Sequence, residues 1–271
     1  MAEVALKTLL MCALSGAAVA YLRGWRRLHA AGHAPPIWRP VFYGLGLLIV
    51  AGALLSPLDE LAAARFSAHM AQHLLLTTMA APLLLLGNPL PLVLWGLPPT
   101  VRGWVAAPLR QGAATRSALS ALTFWPVAGL LHVAAIWIWH VPWLYDAAAE
   151  HEVVHAIEHV IFFGTALLFW WPIIRPAPRL APRLHPGLQI AYLVAATAQS
   201  TALGMVLAVP ERAFYPHYAR VAATLGISAV DDQMVGGGLM WSGAHMYLLP
   251  ILVILYTVSR DAAREHDDAP A

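Results

Sequence analysis

Residues 150–163 read EHEVVHAIEHVIFF. His151-Glu152-Val153-Val154-His155 matches H-E-x-x-H, with which zinc peptidases set two imidazoles on one helix face beside a catalytic carboxylate. His155-Ala156-Ile157-Glu158-His159 matches the inverted form, H-x-x-E-H. A second pair, His69 and His73, is also four residues apart, so both side chains leave one face of a helix. Two neutral imidazoles one turn apart can chelate a metal ion or meet a matching pair on a neighbouring helix. Four histidines from two helices suit copper or zinc, and the nearby thioethers of Met70, Met234, Met240 and Met246 would favour Cu(I). With one cysteine, Cys12, the chain has no C-x-x-C site, so a metal must use His, Met, carboxylate or water.

The elements that position these residues are membrane helices. Of the 271 residues, 60% are apolar and only 11% charged, against roughly 25% charged in soluble domains; the mean hydropathy is +0.65. The 13 histidines nearly equal the 14 carboxylates, and ionisable groups inside a bilayer are costly and usually functional. A formal charge of +2 gives no reason to expect nucleic acid as a partner. Seven apolar stretches approach the roughly 20 residues of a spanning helix: 4–21, 41–57, 68–87, 119–140, 154–174, 188–209 and 235–258. The expected fold is therefore all-α, a single seven-helix membrane domain over residues 1–260. Segment 88–118, with Pro89, Pro91, Pro98 and Pro99, reads as a long, partly interfacial loop, and 261–271 as a disordered cytoplasmic tail.

Arginine distribution sets the expected orientation. Twelve of the 16 basic residues fall in segments 22–40, 88–118 and 175–187 and in the tail, leaving Lys7, Arg65, Arg212 and Arg220 on the other side. Basic loops stay cytoplasmic, which predicts an amino terminus outside and a carboxyl terminus inside. The competing reading takes KTLLMCALSGAAVA as a cleaved signal peptide, but that would put Arg23, Arg26 and Arg27 outside and invert the asymmetry. On this topology Asp59, Glu60, His69, His73, His140, His151, His155, Glu158, His159, Asp231 and Asp232 all fall at the outer surface. A rise of 1.5 Å per residue sets His132 about 12 Å below His140, and His245 about 15 Å below the start of the last span.

Each feature also has a plain structural explanation. A histidine pair at a helix end can snorkel or bond a carbonyl, and His132 or His245 can be an interhelical hydrogen bonder. Methionines in apolar helices usually pack, Asp231 and Asp232 suit a helix cap, and Gly236, Gly237 and Gly238 permit close helix approach. Two pairs on one side, with carboxylates beside them, shift the balance toward metal.

Three stretches, SPLDELAAARFSAHMAQHLLLTTMAAPLLLLGNP, WHVPWLYDAAAEHEVVHAIEHVIFFGTALLFWWPII and DDQMVGGGLMW, closely resemble the CtaG family of bacterial cytochrome c oxidase assembly factors, of the multi-spanning Bacillus type. The resemblance covers about residues 20–260. It implies a multi-pass protein of the bacterial plasma membrane, needed for active haem-copper oxidase and supplying copper to its CuB centre. The family's H-M-x-x-H falls on His69, Met70 and His73, its W-H-x-P on Trp139, His140 and Pro142, and its H-x-x-E-H on His155, Glu158 and His159. Its D-Q-x-x-G-G-x-x-M-W falls on Asp232, Gln233, Gly236, Gly237, Met240 and Trp241, whereas His151 is not one of its fixed positions.

The resulting expectation is a metallochaperone rather than an enzyme. It would bind copper, as Cu(I), through His69, His73, His155, His159 and Glu158, with His140, Asp59, Asp232, Met70, His132 and His245 as further candidates. The partners would be a periplasmic copper donor and oxidase subunit I. Two alternatives use the same residues. An intramembrane zinc peptidase would take Glu158 as base, and a b-type cytochrome would hold haem between His132 and His245 or His73 and His159. From the basic asymmetry, a reporter active only outside the cytoplasm is expected to work when fused after Ala148 and to fail after Pro178. The reverse pattern would place the histidine pairs on the cytoplasmic side.

Overall fold

The computed structural model describes residues 2–33, 35–180 and 182–267, and among them every regular element is helical. In chain order they are α1 (Ala2–Ala30), α2 (Trp38–Leu54), α3 (Pro57–Ala64), α4 (Phe66–Leu74), α5 (Ala81–Leu86), α6 (Pro89–Gly96), α7 (Pro99–Ala106) and α8 (Ala114–Leu122). There follow α9 (Trp125–Trp139), α10 (Pro142–Glu150), α11 (Glu152–Ile174), α12 (Pro186–Ala208), α13 (Pro216–Leu225), α14 (Ala229–Gly243) and α15 (Leu248–Asp267).

Five continuous stretches are long and apolar enough to cross a membrane: Val4–Ala30, Phe66–Leu86, Glu152–Ile174, Pro186–Ala208 and Ala229–Arg260. The count reaches seven if α2 with α3, bent by 46°, and α8 with α9, bent by 67°, each make one span. Their outward faces carry large apolar side chains such as Leu48, Leu130, Val160, Leu252 and Val253, the surface expected of helices solvated by lipid.

The stretch 88–118 is not the expected loop. It folds into α6, α7, a short 3-10 turn and α8, and α6 packs along α1. That pairing depends on two glycines: a β-carbon at Gly24 would overlap the Leu92 carbonyl oxygen, and one at Gly96 the Ala20 carbonyl oxygen. Small residues let helix backbones touch in this way. The last helix runs to Asp267 and so includes the first seven positions of the expected tail, while residues 268–271 lie outside the described residues.

The two largest core clusters are built mainly from aromatic and aliphatic side chains. Phe66, Met70, Trp139, Tyr145, Phe162, Tyr215, Tyr218 and Met240 form one, and Leu85, Phe169, Trp170, Tyr192, Leu193 and Tyr247 form the other. Between α1, α2 and α6 on one side and α11 on the other lies an apolar crevice of about 630 Å³, lined by residues including Leu14, Leu47, Val50, Phe163 and Leu167 and bordered by His159.

Gly24→Ala is expected to destabilise the protein by about 1–3 kcal/mol, the usual cost of overpacking a tight contact. Gly16→Ala, on the same helix with nothing near its would-be β-carbon, should be neutral or stabilising by up to about 1 kcal/mol. Unfolding of both variants in detergent micelles checks the contrast, and equal effects would show that the α1–α6 contact does not set stability.

Candidate metal centre

The first histidine pair is fixed by the way α4 begins. The chain breaks between α3 and α4 at Arg65, which is extended, leaving the first N–H groups of α4 in need of acceptors. Asp232, on α14, supplies them: its Oδ2 accepts from Phe66 N at 2.7 Å, and its Oδ1 accepts from Ser67 N at 3.4 Å and from the Ser67 hydroxyl. A carboxylate at this end also suits the helix dipole. His69 and His73 then leave α4 on one face, both buried. Between them, Gln72 donates to the Ala53 carbonyl at 2.7 Å and to Asp59 Oδ1 at 2.9 Å, and Asp59 pairs with Lys7 at 2.9 Å. Beyond His73 the backbone widens into a π-helical stretch, Leu75–Ala80. In that i→i−5 register Pro82 would serve the Thr77 carbonyl but has no N–H; Trp170 Nε1 on α11 donates to it instead, at 2.9 Å.

The second set comes from the first turns of α11. His151 begins the helix as its N-cap residue and is exposed, whereas Glu158 and His159, about two turns on, face α4 and are buried. His69 Nε2 lies 2.9 Å from His73 Nε2 and 3.4 Å from Glu158 Oε2, and His73 Nε2 lies 3.9 Å from the same oxygen. On the other side the His69 ring meets that of His155 at 4.9 Å between centroids. Two sets of three donors lie within 4.8 Å of one another, His69 with His73 and Glu158, and His69 with His155 and His159. His69 is common to both.

Hydrogen bonds fix where the protons sit. The Tyr218 hydroxyl, on α13, is kept protonated by burial and then by the Glu158 charge, which hold it well above the usual phenol range. Its one hydrogen goes to the Ala62 carbonyl at 2.7 Å. It must therefore accept from His69 Nδ1, also at 2.7 Å. A neutral imidazole carries one N–H, so His69 Nε2 presents a lone pair to the cluster. Both Glu158 oxygens and the Nε2 atoms of His155 and His159 are buried without a hydrogen-bond partner, and buried polar atoms seldom stay so. Four imidazoles and one carboxylate, with unsatisfied donors converging, fit a bound transition-metal ion such as copper or zinc.

The sequence profile that matches this chain, over residues 19–261, describes the cytochrome c oxidase caa3 assembly factors, Caa3_CtaG. The chain belongs to that family. It is also similar to an uncharacterised protein of Mycobacterium leprae, 26% identical over 258 residues that make up 91% of this chain and 37% of the relative. A second, of Mycobacterium tuberculosis, is 27% identical over 250 residues, 89% of this chain and 37% of the relative. The chain thus spans little more than a third of the length of these relatives. No solved structure matches it.

Of the residues singled out from the Caa3_CtaG motifs and from topology, the fold brings together His69, His73, His155, Glu158 and His159. Met70 and His140 stand next to them, lining a small cavity with His73. The others are engaged elsewhere. Asp232 caps α4, and Asp59 is held by Lys7 and Gln72. His132 is buried with Nδ1 3.2 Å from the Thr165 hydroxyl. His245 is exposed, on a 3-10 turn, with Nδ1 3.1 Å from the Ser242 carbonyl. Of the pair that the haem alternative named, His132 is thus buried and His245 exposed, on the 3-10 turn Ala244–Tyr247. Likewise His73 and His159 meet edge to face at 5.4 Å between ring centroids, leaving no slot for a macrocycle. Sequence reasoning missed Tyr218: it lies in a stretch read as a loop, and no motif marks it.

Tyr218→Phe removes the acceptor that sets the His69 tautomer. It is expected to weaken Zn(II) and Cu(I) binding about 10- to 100-fold, the usual effect of losing a partner behind a ligand, with little change in helix content by circular dichroism. Unchanged affinity would show that His69 needs no such orientation.

Proposed function

We propose that this protein serves haem-copper oxidase assembly by carrying copper. In this reading the cluster of His69, His73, His155, Glu158 and His159 takes copper as Cu(I) at the outer membrane face from a periplasmic donor and passes it to the oxidase, most directly to subunit I and its CuB centre. The observation that carries the reading is the convergence of five metal-ligating side chains from two helices, with both Glu158 oxygens and the Nε2 atoms of His155 and His159 buried and unpartnered. Family membership supplies the oxidase, and the donor chemistry supplies the metal.

The chain's own residues do the following work. His69, oriented by Tyr218, offers Nε2 as the central ligand, since it belongs to both donor triads. His155 is only half-buried and gives the cluster its exposed edge, where ligand exchange with a donor or acceptor protein can begin. Glu158 neutralises part of the cation's charge and keeps water-poor imidazoles from being the sole ligands. Copper is cargo here, so each ligand must be able to let go, and a site closed on one side and exchangeable on the other meets that need. In the plasma membrane, with the amino terminus outside, the exchangeable edge faces the periplasm.

The test is purification of the protein from copper-replete membranes with metal analysis, beside oxidase activity in a strain that depends on it. His69→Ala is expected to lose most of the bound copper and most active oxidase together, with partial recovery of activity on adding copper. Full metal content with lost activity would overturn the copper role, and zinc with cleavage of a membrane substrate would mean a peptidase instead.

A further inference from the structure

Behind the cluster lies a second, separate space. It is a cavity of about 30 Å³ whose wall includes Met70, His73, His140 and Met240. The volume suits an ion or a water molecule and nothing larger. The two methionines come from α4 and α14 and belong to one core cluster. They meet because Gly236 lets α4 close on α14: a β-carbon there would press on the Phe66 ring and lie 3.1 Å from Met70 Cγ. Met240, one turn further along α14, shares that face.

The imidazoles of this wall present lone pairs, while the Ser200 hydroxyl, which accepts from Gln199 Nε2 at 2.7 Å, keeps a hydrogen to donate. His140 Nδ1 lies 2.6 Å from the Ile136 carbonyl and must donate to it, so Nε2 carries the lone pair, and Nε2 has no partner. His69 Nε2 is already a lone pair, so the 2.9 Å contact requires His73 Nε2 to be the N–H donor. That leaves His73 Nδ1 as a lone pair, buried and again without a partner. The Thr77 and Thr78 hydroxyls, which also border the cavity, donate to the His73 and Leu74 carbonyls at 2.7 Å each and have no hydrogen left to offer. A water molecule could donate to both imidazoles and accept from Ser200, but would leave the two thioethers, which are weak acceptors, without a partner. A soft, monovalent cation uses all four.

We propose that Met70, Met240, His140 and the Nδ1 atom of His73 form a second Cu(I) site, distinct from the imidazole–carboxylate cluster and selective for Cu(I) over zinc because half its donors are thioethers. The inference rests on the copper reading given above and adds to it a deeper station. His73 touches both spaces. When an ion binds its Nε2 in the cluster, Nδ1 carries the ring's single proton and the deeper ion is held by Met70, Met240 and His140, so both sites can be filled together.

The test is Cu(I) titration of the purified, reduced protein against a chromophoric Cu(I) chelator, with X-ray absorption at the copper edge. Wild type is expected to bind two Cu(I), with sulfur among the ligands. Met70→Leu with Met240→Leu, changes that preserve volume, should bind one Cu(I) with nitrogen and oxygen ligands only. His155→Ala with His159→Ala should retain the sulfur-ligated ion. A helical spectrum and monodisperse elution confirm that each variant is folded. One Cu(I) without sulfur in wild type would overturn the deeper site and leave the cluster standing. A sulfur-ligated ion alone would uphold the deeper site and remove the cluster, and no Cu(I) at all would sink both.

Discussion

Glu158 has no exposed surface, and neither of its carboxylate oxygens has a hydrogen-bond partner. Removing such a group from water costs several kcal/mol even after relaxation, unless a cation or a proton shares its site. The surroundings of this carboxylate follow from that requirement. Imidazoles on α4 face it from one side and imidazoles on α11 flank it from the other, and Asp232 holds the beginning of α4 in place. An aliphatic core would be simpler to build. A buried carboxyl group ringed with imidazoles is an environment prepared for a proton or a metal cation.

Short helices do the positioning. α3, α10 and α13 each start with proline at the first or second helical position, at Pro57, Pro142 and Pro216, where the missing N–H is no loss. They carry Ala62, Tyr145 and Tyr218, and all three side chains are buried. The Tyr145 ring lies 5.0 Å from that of His69 and 4.3 Å from that of Tyr215, so an aromatic layer covers the cluster at the end where spans stop. Asp146 adds a tie from α10 to α13, accepting from His217 N at 3.1 Å, although partial burial raises its own pKa. The candidate ligands lie on the continuous stretches Phe66–Leu86 and Glu152–Ile174, and Tyr218, the acceptor that orients His69, sits on a short helix.

The division between what could be read from sequence and what could not has the same origin. Four-residue spacing is a property of one helix, so the pairs His69/His73 and His155/His159 were legible, as was their shared end of the bundle from the arginine asymmetry. The seven apolar stretches match the spans and bent pairs within several residues. Contacts between residues distant in sequence were not legible. Asp232 was expected as a ligand or a cap of its own helix, and instead caps a helix 165 residues away; Ser228 caps α14 itself, accepting from Asp231 N at 3.2 Å. His245 was expected near mid-depth, and that its side chain is exposed on a 3-10 turn could not be read from the helical rise used to place it. Prolines in 88–118 were taken as loop signals, yet Pro89 and Pro99 stand at the starts of α6 and α7, where proline begins helices rather than breaking them.

The crevice between α1, α2, α6 and α11 gives the bilayer a part in the structure. A gap of about 630 Å³ walled by leucine, valine and aromatic side chains cannot hold water in a hydrocarbon medium, and acyl chains are the matter at hand to fill it. His159, a member of the cluster, borders that gap. One imidazole of the cluster thus lies at the edge of an apolar gap, for which the natural solvent in a bilayer is lipid. Acyl length and unsaturation therefore enter the shape of the cluster directly, and delipidation removes a wall of the site without changing a single residue.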